Sequence, residues 1–260
     1  MSARRLLKVL LAVVALQALS ISGAVAQNPS NQDYCLSSGR IRLLLVDVTT
    51  EYDQTDKDSI VGMIDDVLSE AKGGDIIVVR TIGDSYTRSE RLVERCVPQC
   101  PAQGVISRLF KCSDGILRTD TAMMRQDILA ALKKRLESFQ ELKYSDIIRT
   151  INADAQEEAR QGQVLNLYIY SDLIENSDQL ISNKNFFRYK PLFLIGALRR
   201  FKLIAPLSNS DVQVAGVGRS DAADRQPLSI NDQNFLLEFW KAYFKASGAA
   251  NVAISQRARE

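Results

Sequence analysis

LLLVDVTTEYD, Leu43 to Asp53, is the stretch whose reading decides the fold. Four apolar residues in a row run into Asp47, and hydroxyls and acids crowd the next positions. A strand apolar on successive positions is covered on both faces, as the central strands of a parallel sheet are. Residues just past such a strand stand where open α/β sheets gather their ligands, outside the carboxyl ends of the strands. The stretch therefore reads either as a solvated loop or as a site for a hard cation.

On either side of it the chain alternates between strand and helix patterns. Ile41 to Val46 is the first strand, and Thr55 with Asp58 reads as an imperfect capping box opening a helix. Ile60, Val61, Ile64, Val67, Leu68 and Ala71 recur at helical spacing until Gly73-Gly74 stops them. Ile76 to Ile82 is a second strand, rich in β-branched residues, and Glu90 to Val97 reads as a further one. The segment from about Cys96 to Arg118 holds three cysteines and two prolines and reads as a stapled loop insertion. Helical patterning resumes over Thr121 to Leu142 and Ser145 to Arg160, and Val164 to Tyr170 is a strand ending in Ser171-Asp172. A basic, aromatic helical region from about Pro191 to Ile204 and a short strand, Val212 to Val217, follow. From Asn231, the stripe Phe235, Leu236, Phe239, Trp240, Tyr243 and Phe244 marks a helix docked on the core and closed by Gly248. The alternation predicts an α/β fold: a doubly wound, mostly parallel central sheet with helices on both faces.

The first 26 residues have the form of a secretory signal. Arg4, Arg5 and Lys8 precede an apolar run ending in Ala24-Val25-Ala26. Cleavage is expected after Ala26, leaving an arm over 27–39 and a single domain over 40–254, in the bacterial periplasm or outside the cell. The three basic residues leave with the signal, so 33 basic against 31 acidic become 30 against 31. A chain so near neutrality gives no reason to expect nucleic acid as a partner. All four cysteines, Cys35, Cys96, Cys100 and Cys112, lie in the exported part and are expected to form two disulfides. Three connectivities are open. The favoured one ties Cys35 to the 96–112 segment and pairs the remaining two locally.

The chain has no histidine, which removes Ser-His-Asp and Cys-His catalysis and histidine-ligated zinc. Gly83-Asp84-Ser85 follows a strand like an esterase nucleophile block, but its serine lacks a conventional base and the triplet reads as a turn. No phosphate-binding loop is present. What remains is oxygen chemistry at strand ends: Asp47, Thr49 and Glu51 past one strand, and Asp172 past another. Such oxygens suit Mg²⁺, with Ca²⁺ or Mn²⁺ as alternatives.

With these residues the chain resembles the von Willebrand factor A family. That family's first strand ends in DxSxS, and a later central strand ends in an aspartate. Asp47-Val48-Thr49-Thr50-Glu51 stands at the first motif and Tyr170-Ser171-Asp172 at the last. Ser145-Asp146-Ile147 best matches the family's threonine loop, with Thr119 or Thr121 as second choice. The resemblance implies a non-enzymatic protein-binding module whose cation is held by Asp47, Thr49, Glu51, Ser145 and Asp172 and meets an acidic residue of the partner. Glu51 departs from the family's serine and adds negative charge. It either stands in for the partner's acid, favours Ca²⁺, or marks a relic site. A metal-dependent hydrolase is the alternative from another class, with Glu51, Asp53 and Glu175 as candidate acids or bases. Phe186 to Lys190 and Arg199, Arg200, Phe201 and Lys202 interleave basic and aromatic residues, a pattern that suits a basic solvent face, an anionic membrane surface or, where the segment borders the cation site, the rim of a protein interface.

Overall fold

The computed structural model describes residues 34–35, 39–100, 113–159, 163–178, 180–218 and 228–255. Its strands are β1 (Ile41–Asp47), β2 (Ile76–Ile82), β3 (Arg91–Cys96), β4 (Leu165–Tyr170), β5 (Asp211–Ala215) and β6 (Asn251–Ile254). Its helices are α1 (Gln54–Glu70), α2 (Asp114–Glu137), α3 (Ile147–Ala159), the single turn α4 (Asn183–Phe186), α5 (Pro191–Arg200) and α6 (Ile230–Ala246). One sheet carries all six strands in the order β3-β2-β1-β4-β5-β6. Only β3 runs antiparallel to its neighbour, and it lies at an edge. The fold is thus the doubly wound α/β sheet that the alternation of elements predicts.

β1 is the hinge of this winding, flanked by β2 on one side and β4 on the other. Strand order reverses between β1 and β4, where ligand crevices form in such sheets. Successive β1 side chains point to opposite faces, and all seven residues are buried. Ile41, Leu43 and Leu45 pack with Ile148 and Ile151 of α3, Leu194 and Leu198 of α5, and the aromatic stripe of α6. Leu44 and Val46 face the other layer, with Ile60, Ile64 and Val67 of α1 and Met124, Ile128 and Leu132 of α2.

Several elements differ in extent from the expectation. The capping box of α1 is Asp53 with Asp56, two residues ahead of Thr55 and Asp58: Asp53 Oδ1 accepts from Asp56 N (2.8 Å), and Asp56 Oδ2 accepts from Asp53 N (3.2 Å). Two carboxylates satisfy otherwise orphaned amides and complement the positive end of the helix. α2 begins at Asp114 behind a Ser113 cap, so residues 114–118 are helix rather than loop. β6 was not expected at all. Cys35 and Cys96 form a disulfide, tying the arm to the end of β3. Cys100 is also disulfide-bonded, whereas Cys112, like residues 1–26, lies outside the described residues. Among the described residues no helix is long and apolar enough to cross a membrane.

Candidate functional site

Asp47 ends β1 only 3% exposed, and its carboxylate is held from three segments. Thr49, two residues on, donates to Oδ1 from both its amide (3.0 Å) and its hydroxyl (2.7 Å). Ser171, just past β4, donates its hydroxyl to Oδ2 at 2.8 Å. Ser145, in the loop that opens α3, donates to the same oxygen at 3.1 Å. Four donors thus converge on one buried carboxylate where the strand order reverses. Burial raises the Asp47 pKa above its ordinary value, and the hydrogen bonds from Thr49, Ser171 and Ser145 work in the other direction.

The sequence expectation placed Asp47, Thr49 and Ser145 together, and they are in direct contact. Ser171, which the sequence reading does not include, completes the set. A hydroxyl at the end of the strand adjoining β1 was the available signal. Asp172 is half-buried, and its Oδ1 accepts from Ile174 N at 2.9 Å, closing a tight turn after β4. Glu51 is exposed. Thr119 and Thr121 lie in α2, where their hydroxyls donate to Gly115 O and Leu117 O, so the second choice for the threonine position falls away.

The loop beyond β4 is conformationally strained. Leu173 has φ 61°, a region that bulky residues avoid. Its amide donates to Ser171 Oγ (2.9 Å), and its carbonyl accepts the Trp240 indole N–H (2.9 Å). Gly216, at φ 92°, lies so close beneath this loop that an added Cβ would sit 3.1 Å from Ser171 O.

Neighbouring acids are structurally committed. Fully buried Asp146 accepts from Tyr86 N and Arg149 Nε, both at 2.8 Å, and its own amide donates to Gly83 O at 3.0 Å. The Gly83-Asp84-Ser85 turn is thereby fastened to the start of α3. Glu175, also fully buried, accepts the Ile147 and Ile148 amides on Oε2 at 3.0 and 2.9 Å, capping α3. Burial pushes the Glu175 pKa up to about 8, against those amides and the Ser177 hydroxyl. Beneath the site the Tyr52 ring meets Tyr170 edge-on, centroids 5.4 Å apart. Burial first, then the charge of Asp47, carries the Tyr52 phenol well above its usual range.

As a cation site, the cluster offers oxygen of the hard kind, chiefly from hydroxyls. Among the described residues no three His, Cys, Asp or Glu side chains gather at metal-ligand spacing. The four donors already occupy the acceptor capacity of Asp47, but the Thr49 and Ser145 hydroxyl oxygens retain lone pairs. A carboxylate accepting from a hydroxyl strengthens that oxygen as a ligand. The set therefore fits a well-hydrated cation bound through hydroxyls with Asp47 behind them.

Arg199, Arg200 and Lys202 do not border this cluster. α5 runs back along the sheet, and the residues after it meet the far end of α6, where Leu207 N donates to Ser247 O and Ala250 N to Ser210 O. The basic group thus sits toward the edge where the strands begin.

No family model matches the chain, and no curated protein matches it. Among solved structures, it is similar to the ArnB paralog VWA2 from Sulfolobus acidocaldarius: 9% identity, TM-score 0.43, covering 85% of this chain and 42% of that one. It is also similar to a von Willebrand factor type A protein from Catenulispora acidiphila: 12% identity, TM-score 0.37, covering 81% and 43%. A third similarity is to the human COPII-coat protein Sec24c: 11% identity, TM-score 0.40, covering 89% and 31%. The chain spans less than half the length of each.

Proposed function

We propose that this chain is an exported, non-enzymatic binding module of the von Willebrand A type that engages another protein at the strand-end cluster around Asp47. The convergence of four donors from three separated segments on one buried carboxylate at the switch point carries this reading. Thr49 and Ser145 would hold a Mg²⁺, Ca²⁺ or Mn²⁺ ion, with Asp172 at its rim and Asp47 orienting the hydroxyls. Bound there, the cation supplies an electrophilic contact for a partner's carboxylate. A hydrolase is disfavoured because Asp53 caps α1 and Glu175 caps α3 from full burial, leaving Glu51 as the one uncommitted acid of the three candidates.

A second reading has its own support. Asp47 is satisfied by protein donors alone, so the cluster is equally coherent as a cation-free brace joining β1, β4 and α3. Thermal unfolding with chelator and then with each cation separates the two. If only the folded state binds metal, the ion at about 100 times its dissociation constant adds about 2.7 kcal/mol. The gain is expected to vanish in Thr49→Ala and Asp172→Ala. No gain with any ion would leave the brace.

A further inference from the structure

The stretch that carries α5 is one-sided in charge. From Gln179 to Ser210 the chain has no acidic residue and six basic ones: Lys184, Arg188, Lys190, Arg199, Arg200 and Lys202. These 32 residues carry a formal +6, while the rest of the chain from Gln27 carries −7 (24 basic, 31 acidic). Arg188, Lys190, Arg199, Arg200 and Lys202 are exposed and form no ion pair with the described carboxylates, whereas most of the other described arginines are paired.

Large apolar side chains project from the same surface. Leu192 is 74% exposed, Phe193 62% and Phe201 68%, the most exposed large apolar residues described apart from Ile230. Tyr189 stacks on Phe193 with ring centroids 5.7 Å apart. The helical period explains the arrangement. Pro191, Leu194, Ile195 and Leu198 turn into the core, which leaves Leu192, Phe193, Arg199 and Arg200 on one outward arc. Exposed aromatic and aliphatic groups flanked by basic side chains, on a helix lying flat against its domain, make up the pattern of an interfacial membrane helix.

We propose that α5 and its flanks dock the protein on an anionic phospholipid bilayer. Leu192 and Phe193 enter the interface while Arg199 and Arg200 beside them, and Arg188, Lys190 and Lys202 at the flanks, meet lipid phosphates. The opposite net charge of the remaining chain orients the approach, with the basic face leading. The projection of Leu192 and Phe193, 74% and 62% exposed, favours a bilayer over the alternatives. A nucleic acid strand is bound along a groove with stacked bases, and a protein hot spot needs a pocket around each anchor. A fluid apolar layer accepts projecting side chains directly. This docking is independent of the Asp47 cluster.

The test uses the chain from Gln27 onward, which retains every described element and lacks the apolar N-terminal run. It is sedimented with vesicles of phosphatidylcholine alone or containing phosphatidylglycerol. Partitioning only to the anionic vesicles, weakening with salt, is expected. Each basic residue near an anionic surface contributes about fivefold. Arg199→Glu with Arg200→Glu therefore lowers partitioning by about 25-fold or more, and Leu192→Ser with Phe193→Ser by about tenfold. Near-UV circular dichroism confirms that the variants keep their fold. Phe193→Trp adds a direct readout, because Trp240, the only native tryptophan, is fully buried. Its emission should shift to the blue on anionic vesicles. Failure to bind them, equal binding to both vesicle types, or indifference to the charge reversal overturns the proposal. So does a dimer in solution that Leu192→Ser with Phe193→Ser dissociates, which would assign the face to self-association, or selective capture of an acidic peptide without vesicle binding.

Discussion

Replacing Glu175 with Gln should remove a steep pH dependence of stability. The carboxyl is fully buried, accepts two amides at the start of α3, and has its pKa raised from 4.5 to about 8, chiefly by burial. A folded pKa above the unfolded one means that the folded chain keeps a proton the unfolded chain has released. The stabilisation is complete below about pH 4.5 and is lost as pH rises through about 8. One retained proton gives a slope of about 1.4 kcal/mol per pH unit, and the full window amounts to about 4–5 kcal/mol as an upper figure. Glutamine keeps an oxygen for the Ile147 and Ile148 amides and does not titrate. Urea unfolding of both proteins at several pH values between 5.5 and 7.5 isolates the effect, since contributions from other groups cancel in the difference. The variant should gain on the wild type by about 1.4 kcal/mol with each unit of rising pH. A difference that stays flat would show that Glu175 is ionised in the fold and would refute the reasoning.

Two further substitutions probe the strand ends and the buried charges. Gly216→Ala places a methyl 3.1 Å from Ser171 O at φ 92° and should cost about 1–2 kcal/mol in chemical denaturation, loosening the loop that carries Asp172. Arg80→Met removes the partner of Asp154 (3.2 Å) and Glu157 (2.6 Å), and should cost about 3–5 kcal/mol at pH 8. Burial already pushes the Asp154 pKa up to about 6 against Arg80, so the loss should shrink at pH 5, where Asp154 protonates.

How much could be read in advance depended on how much each segment buries. β1, β2 and β4 are covered on both faces, and their apolar runs announced them. So did the stripe of α6, where Phe239, Trp240, Tyr243 and Phe244 are all fully buried. The first turns of α2 are exposed, with Ile116 at 42%, so no periodicity marks them and the sequence pattern starts the helix later. β6 is four residues, alternately exposed and half-buried, whose identity as a strand depends on pairing with β5, a tertiary fact. At the site, Asp47, Thr49 and Ser145 were legible because strand ends converge in this topology. That Asp47 is saturated by hydroxyls depends on side-chain geometry, which residue spacing does not carry. The placement of the basic group beside the site failed for a topological reason. A helix between parallel strands returns to the opposite edge, and only its first turn remains near the strand ends.

The sheet order also sets a sequence of events in synthesis. Ile41 pairs with Ile76 on one side and with Leu165 on the other. A chain emerging from its N-terminus can therefore zip β1 to β2 early, while the other long edge of β1 waits for more than a hundred residues. During that interval an apolar strand end-to-end has unpaired amides and carbonyls open to any neighbouring chain. Ser171 follows β4 and Ser145 bridges to Asn176 beyond it, so the full set of donors to Asp47 exists only when β4 is joined to β1. Closure of the Asp47 cluster thus marks that the two halves of the sheet have met in register.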